Sequence, residues 1–204
     1  MDPLSQGAIG ASLSQSLSSR KNLLTIGIIG FLAGMSPDLD VLIKSDQDPL
    51  LFLEFHRQFT HSLVFIPIGG LIFASVFYSL FKRIISMGFK QVWFYASVGY
   101  GTHGILDTCT SYGTQLLWPF INDRFSWNNI SIIDPLFTIP IVVLITLAAI
   151  KKCPFLARIS LIWATLYLSL GWFQHQRAIE FAHELIQQEV IMRSRLALNP
   201  VLVI

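Results

Sequence analysis

The stretch Leu63–Phe81 runs without a charged residue, and Leu156–Phe173 carries only Arg158 near its start. A helix that crosses a bilayer needs about 20 mainly apolar residues, within a range of about 17–25. Both stretches meet that length, and their presence constrains the fold more than any other feature. Inside lipid the backbone must satisfy its own hydrogen bonds, which leaves helices or closed barrels. The period-2 alternation of a barrel is absent, so the segments are expected to be helical. Four further apolar runs accompany them: Gly7–Leu17, Leu23–Met35, Val92–Leu106 and Leu136–Ile150. The last two can lengthen through flanks such as Asn128–Asp134, which carry no charge before Asp134 itself. The first two are short, and either span a thinned bilayer or form a hairpin that dips partway in.

Composition agrees. Hydrophobic residues make up 53% of the 204 and charged residues 13%, about half the usual charged share of a soluble domain. Mean hydropathy is +0.60. A net charge of +2 lacks the basic excess of a nucleic-acid binder. The start, MDPLSQGAIG, has no basic n-region of a cleavable signal peptide, so the first runs are read as retained structure. The expected fold is all-α: a polytopic transmembrane helical bundle over residues 1–173. A short amphipathic C-terminal helix over 174–204 follows, read as the start of a truncated extension. In that helix Ala178, Phe181, Ala182, Leu185 and Ile186 recur at helical spacing.

Basic residues fall in alternate connections: Arg20 and Lys21; Lys82, Arg83 and Lys90; Lys151, Lys152 and Arg158. The positive-inside rule assigns these to the cytoplasm. The loops Ser36–Ser62 and Asp107–Pro135 then face the other side of an inner (plasma) membrane. They hold Asp38, Asp40, Asp46, Asp48, Glu54, Asp107, Asp123 and Asp134. Cys109 and Cys153 fall on opposite sides and form neither a disulfide framework nor a CxxC site.

Three clusters then share one membrane face. Ser36-Pro37-Asp38-Leu39-Asp40 ends the second run, His56-Arg57-Gln58-Phe59-Thr60-His61-Ser62 leads into the third, and His103-Gly104-Ile105-Leu106-Asp107 ends the fourth. His103 and Asp107 are four apart and share a helix face. They can bind one metal together, or the carboxylate can orient the imidazole. Asp38 and Asp40 follow Pro37, where an irregular turn aims both at one centre. His56 and His61 bracket a helix entrance. Six residues, Asp38, Asp40, His56, His61, His103 and Asp107, are therefore expected to surround a divalent metal. Three imidazoles and three carboxylates suit zinc first, with manganese and iron as alternatives. Ionisable groups abutting spans cost about 2.5–3.5 kcal/mol each at a helix centre, so their gathering at one face points to function.

Arg57 is either a fork for an anionic group or an interfacial anchor. Asp134 either joins the site or caps the fifth run. Thr60 and Ser62 suit capping or supporting roles. His175 and His183 read as solvated. His183-Glu184 meets Gln187 where HExxH needs its second histidine, and no G-x-S-x-G elbow, Walker loop or dinucleotide fingerprint exists.

Asp2-Pro3-Leu4-Ser5-Gln6, Ser36–Asp40, His56–Ser62, Ser126–Pro135 and above all HGILDTCTSYGTQLLWPF (His103–Phe120) run in the order seen in a known family. On these stretches the chain resembles the YdjM-type, LexA-regulated, membrane-bound metal-dependent hydrolases. A more distant similarity links such proteins to zinc phospholipase C and P1-type nucleases. The resemblance implies a metal-dependent hydrolase at the non-cytoplasmic face, acting on a phosphoester or lipid-like substrate among membrane lipids. On that basis the metal makes water nucleophilic, Asp40 or Asp107 serves as general base, and Arg57 holds the anionic group. Many family members have histidine at the position of Gln6, which makes Gln6 an additional candidate site residue. Two rival classes use the same residues differently: a transporter or ion-binding protein with an Asp/His relay, and a non-catalytic scaffold. Broken spans or inverted repeats would mark a transporter, and neither is evident.

Overall fold

The computed structural model describes residues 1–42 and 56–198, with side chains through 193. Asp46, Asp48, Glu54 and the apolar tail at 199–204 lie outside the described residues. Among the described residues six α-helices form: α1 (Pro3–Ser16), α2 (Leu23–Met35), α3 (Ile66–Phe81), α4 (Phe89–Thr108), α5 (Pro135–Lys151) and α6 (Pro154–Leu198). A 3-10 helix over Ser36–Leu42 continues α2, and two 3-10 turns, Phe59–His61 and Leu63–Phe65, precede α3. There is no strand among the described residues, only an isolated antiparallel bridge between Thr114 and Phe125.

The helices pair into three hairpins, and their basic turns meet at one end. Ser86 Oγ donates to Asn22 Oδ1, Arg158 Nε donates to Ser16 O, and Leu23 packs with Ala148 and Ala157. The segments Leu23–Leu42, Leu63–Phe81 and Pro154–Arg193 are long and apolar enough to cross a membrane, and Pro135–Lys151 is a shorter apolar helix. Their outward faces carry large apolar side chains, among them Leu24, Ile28, Ile72, Val76, Ile139 and Ile162. In water such a surface would be untenable, whereas lipid solvates it.

α1 is the central helix. Nearly every residue from Ser5 to Ser16 is buried, and its hydroxyls link three neighbours. Ser14 donates to Tyr95 O on α4, Ser12 bonds Ser160 on α6, and Ser5 bonds Thr138 on α5. Small and hydroxyl residues suit helix contacts in membranes because they admit close approach and supply interhelical hydrogen bonds. The closest approach joins Gly10, Gly30 and Gly99, where a Cβ on any of the three would run into a neighbouring backbone carbonyl. The first two runs thus form a hairpin in which α1 is buried while α2 keeps a lipid-facing side at Leu24, Ile28 and Leu32.

Two expectations change. Asn128–Asp134 does not extend the fifth run, because Asp134 is the N-cap of α5 and Pro135 its first residue. The amphipathic C-terminal segment is not a separate short helix. It continues the last apolar run as one 45-residue helix, about 67 Å long at 1.5 Å per residue. The continuity is natural, since no proline and no glycine after Gly171 interrupts it.

Candidate metal centre

The end of the bundle opposite the basic turns gathers the acidic and imidazole groups. One ligand atom each from Asp38, His61, His103 and Asp107 lie within 4.8 Å of one another. Three of the four are fully enclosed, and only Asp38 reaches solvent, with 26% of its side chain exposed. His103 and Asp107 stand one turn apart on α4. His61 is carried to them by the Phe59–His61 turn, whose backbone presses on α4 at Gly104, where a Cβ would strike the His61 carbonyl.

Hydrogen bonding fixes the tautomers. His103 Nδ1 lies 2.6 Å from Gly34 O, an acceptor only, so Nδ1 carries the proton. Thr60 Oγ1 gives its hydrogen to Asp40 Oδ2 at 2.8 Å and accepts from His61 Nδ1 at 2.9 Å. In their neutral forms the two rings would therefore point bare Nε2 atoms at each other, 2.9 Å apart. Asp38 Oδ1 sits 3.5 and 3.2 Å from these nitrogens, and Asp107 Oδ2 sits 3.5 and 3.8 Å from them. With both rings neutral, these four electron-pair donors repel one another, and a positive charge between them relieves that repulsion. Asp107 Oδ2 is buried without a hydrogen-bond donor, although Arg57 Nε approaches it to 3.4 Å. A tetrahedral shell with bonds of about 2.0–2.1 Å has edges of about 3.3 Å, close to these separations. The residues fit a bound metal cation. Burial pushes the His61 imidazole below its ordinary value, outweighing the hydrogen bond to Asp38 that raises it. The ring is thereby kept neutral, the form that binds metal.

Two of the six expected ligands lie elsewhere. Asp40 is buried behind His61. Its Oδ2 takes the Thr60 hydroxyl and the Arg57 backbone N–H at 3.2 Å, and its Oδ1 faces His56 Nδ1 at 2.8 Å. Asp40 thus orients His61 through Thr60, and with both oxygens engaged it is poorly placed as a general base. His56 is held against Asp40 rather than at the centre. The physical reason is local backbone geometry. A 3-10 helix turns three residues per revolution, so Asp38 and Asp40 leave it on different sides. Arg57 adopts φ +64, and His56 lies edge-on against the His61 ring, 5.9 Å between centroids, with its Nδ1 turned to Asp40.

The remaining candidates take defined places. Gln6 Nε2 donates to Asp107 Oδ1 at 2.8 Å, the oxygen that the Met1 amino group also contacts, leaving Oδ2 for the centre. Arg57 stacks on Tyr112 at 4.9 Å, and its buried Nη1 has no hydrogen-bond partner. Asp134 caps α5 and accepts from Tyr167 at 2.8 Å, so it serves the fold. Both cysteines are free. Burial pushes the Cys109 thiol up to about 11, which makes it inert at neutral pH. The segment after α4 roofs the site: Gln115 N bonds Arg57 O, Leu63 N bonds Leu116 O, and Asn129 Nδ2 ties the segment to Leu168 O on α6. Sequence reasoning missed Tyr100, whose hydroxyl donates to Thr60 O at 2.8 Å. Its signal was available, since it lies three residues before His103 on the same helix face.

Residues 1–178 match the family described as YdjM inner membrane protein. The chain belongs to that family. It is similar to the inner membrane protein YbcI of Escherichia coli (strain K12), at 34% identity over 98 residues, covering 47% of this chain and 54% of YbcI. It is also similar to the uncharacterized protein YfhP of Bacillus subtilis (strain 168), at 27% identity over 109 residues, covering 53% of this chain and 32% of YfhP. The matches thus span about half of YbcI and a third of YfhP. No solved structure matches. Family membership and the apolar helices together make this a membrane protein of the inner-membrane type.

Proposed function

We propose that this protein is a membrane-bound, metal-dependent hydrolase of phosphoesters, and that Asp38, His61, His103 and Asp107 hold its cation, zinc in preference. The observation that carries the reading is the pair of bare Nε2 atoms aimed at each other between two carboxylates. A bound divalent cation supplies Lewis-acid polarisation and makes water acidic enough to attack near neutral pH. Asp38, the one member open to solvent, meets incoming water and takes its proton. This moves the general-base role from Asp40, and Asp107 becomes a purely ligating group steadied by Gln6. Arg57, with Nη1 unpartnered, holds the anionic group and the charge that develops on it. Asp40, Thr60 and Gly34 fix ring orientation, as supporting groups around metal sites do. The bundle crosses the membrane several times with the basic turns cytoplasmic, which puts the centre on the non-cytoplasmic side.

The test is a screen of detergent-purified protein against phospholipids and generic phosphoesters, with and without chelator. Chelator-sensitive cleavage is expected, lost in Arg57→Gln while the metal stays bound. If no ester or amide is cleaved, the same cluster is better read as the cation site of a transporter.

A further inference from the structure

An apolar groove of roughly 620 Å³ runs between α2 and α3, and it ends at Asp40 and Thr60, the groups that back His61 of the metal centre. Leu32, Met35, Phe65, Ile72, Phe73 and Val76 form its walls, and Asp40 and Thr60 stand at its polar end. Both walls belong to segments apolar and long enough to cross a membrane, so the groove opens to lipid along its length. From Phe65 to Val76 it follows α3 for about 16 Å. Pro37 and Leu39 line it as well, and Asp38, the exposed ligand, sits between them in the chain.

A second groove, of about 550 Å³, lies between α2 and α5, walled by residues such as Leu24, Ile28 and Val142. It reaches neither the four ligand residues nor Asp40 and Thr60, the groups that hold His61 in place. The contrast separates a groove that any membrane protein leaves to surrounding lipid from one that leads to chemistry.

We infer that the α2–α3 groove seats one acyl chain of a glycerophospholipid whose phosphate lies at the metal centre. This deepens the hydrolase reading by naming its substrate class. The occupant follows from the two ends. The lipid-facing end has only apolar partners to offer, and the other stops at Asp40 and Thr60, one hydrogen bond behind His61; the cation site beyond, with Arg57 Nη1 unpartnered beside it, is a complement to a single anionic head. Acyl tails gain little from exchanging bilayer for an apolar wall. The groove therefore gives position, while the phosphate gives affinity. A soluble phosphoester would use the centre and leave the groove to bulk lipid.

The experiment is photo-crosslinking of the full chain in phosphatidylethanolamine vesicles carrying phosphatidylglycerol with a diazirine on one acyl chain, read by peptide mapping. Label is expected to be enriched around Ile72 and Val76 over Ile28 and Val142. Ile72→Trp and, separately, Val76→Trp should cut that enrichment several-fold with metal content unchanged. Ile72 and Val76 both face lipid, so the larger ring does not burden the core. Diacylglycerol bearing the same diazirine chain should show no enrichment, and Arg57→Gln should bring phosphatidylglycerol down to that level. Equal labelling of the two grooves, or equal labelling by diacylglycerol, would mean surrounding lipid only and overturn the inference. Because the readout is occupancy, enriched labelling without ester cleavage would sink the hydrolase reading and leave the lipid site standing.

Discussion

His61 and His103, forty-two positions apart, bring their Nε2 atoms to 2.9 Å with both Nδ1 protons committed elsewhere. With both rings neutral no hydrogen bond joins the two nitrogens, and a cation between them relieves their repulsion. Protein purified in detergent is therefore expected to carry stoichiometric divalent metal by elemental analysis. His61→Ala and His103→Ala should each lose most of it. Unchanged metal in both variants would refute the centre.

Asp40 and Asp38 should separate in the same assay. Asp38 contributes an oxygen to the cluster, whereas Asp40 acts on His61 through Thr60. Loss of supporting groups around a metal typically costs about 10–100-fold in affinity. Asp40→Asn should fall in that range when metal is titrated against a competing chelator, and Asp38→Asn should fall further. Thr60→Val should resemble Asp40→Asn, because it severs the same relay. Equal effects of Asp38→Asn and Asp40→Asn would place both carboxylates at the metal.

Much of this was legible in the sequence, and the failures have local causes. The helical character, the alternating basic turns and the gathering of three polar clusters at one end follow from apolar runs and charge placement. What the sequence could not reveal is which side of a short element a residue leaves. Asp38 and Asp40 look equivalent in Pro-Asp-Leu-Asp, and only the 3-10 path over Ser36–Leu42 separates them. His56 and His61 do lie ring against ring, but His56 turns its Nδ1 to Asp40 while only His61 joins the cluster. α1 was underrated because its serines and glycines dilute hydropathy. Those same residues let it sit at the centre of the bundle. Asp134 did announce itself, since an aspartate directly before a proline at the first helical position is a capping signature.

Acidification should weaken the metal-free protein in a definite direction. Burial holds the folded-state pKa of His61 below its ordinary value of about 6.5. As pH falls below about 6.5 the unfolded chain takes up a proton that the folded chain refuses, so unfolding is favoured. The loss continues until the lowered folded-state value is reached and then levels. Thermal unfolding of chelated protein, followed by tryptophan fluorescence, should show the decline below about pH 6.5, and His61→Asn should flatten that part of it. An identical pH profile in His61→Asn would show that the ring contributes nothing.

Orientation is testable at the two ends of the bundle. Lys151 ends α5 among the basic turns, and Asp123 lies exposed in the segment that roofs the metal centre. The basic turns are tied together by Ser86 to Asn22 and by Arg158 to Ser16, so they must share one side whichever side that is. The proposed orientation takes that side, with its excess of Lys and Arg, as cytoplasmic. In a background with Cys109→Ala and Cys153→Ala, a single cysteine at position 123 should react with a membrane-impermeant maleimide applied from outside intact spheroplasts. One at position 151 should react only after the membrane is opened. Reaction of 151 alone from outside would invert the bundle and put the metal centre in the cytoplasm. Reaction of both from outside would break the hairpin arrangement itself, because α5 would no longer separate its two ends across the bilayer.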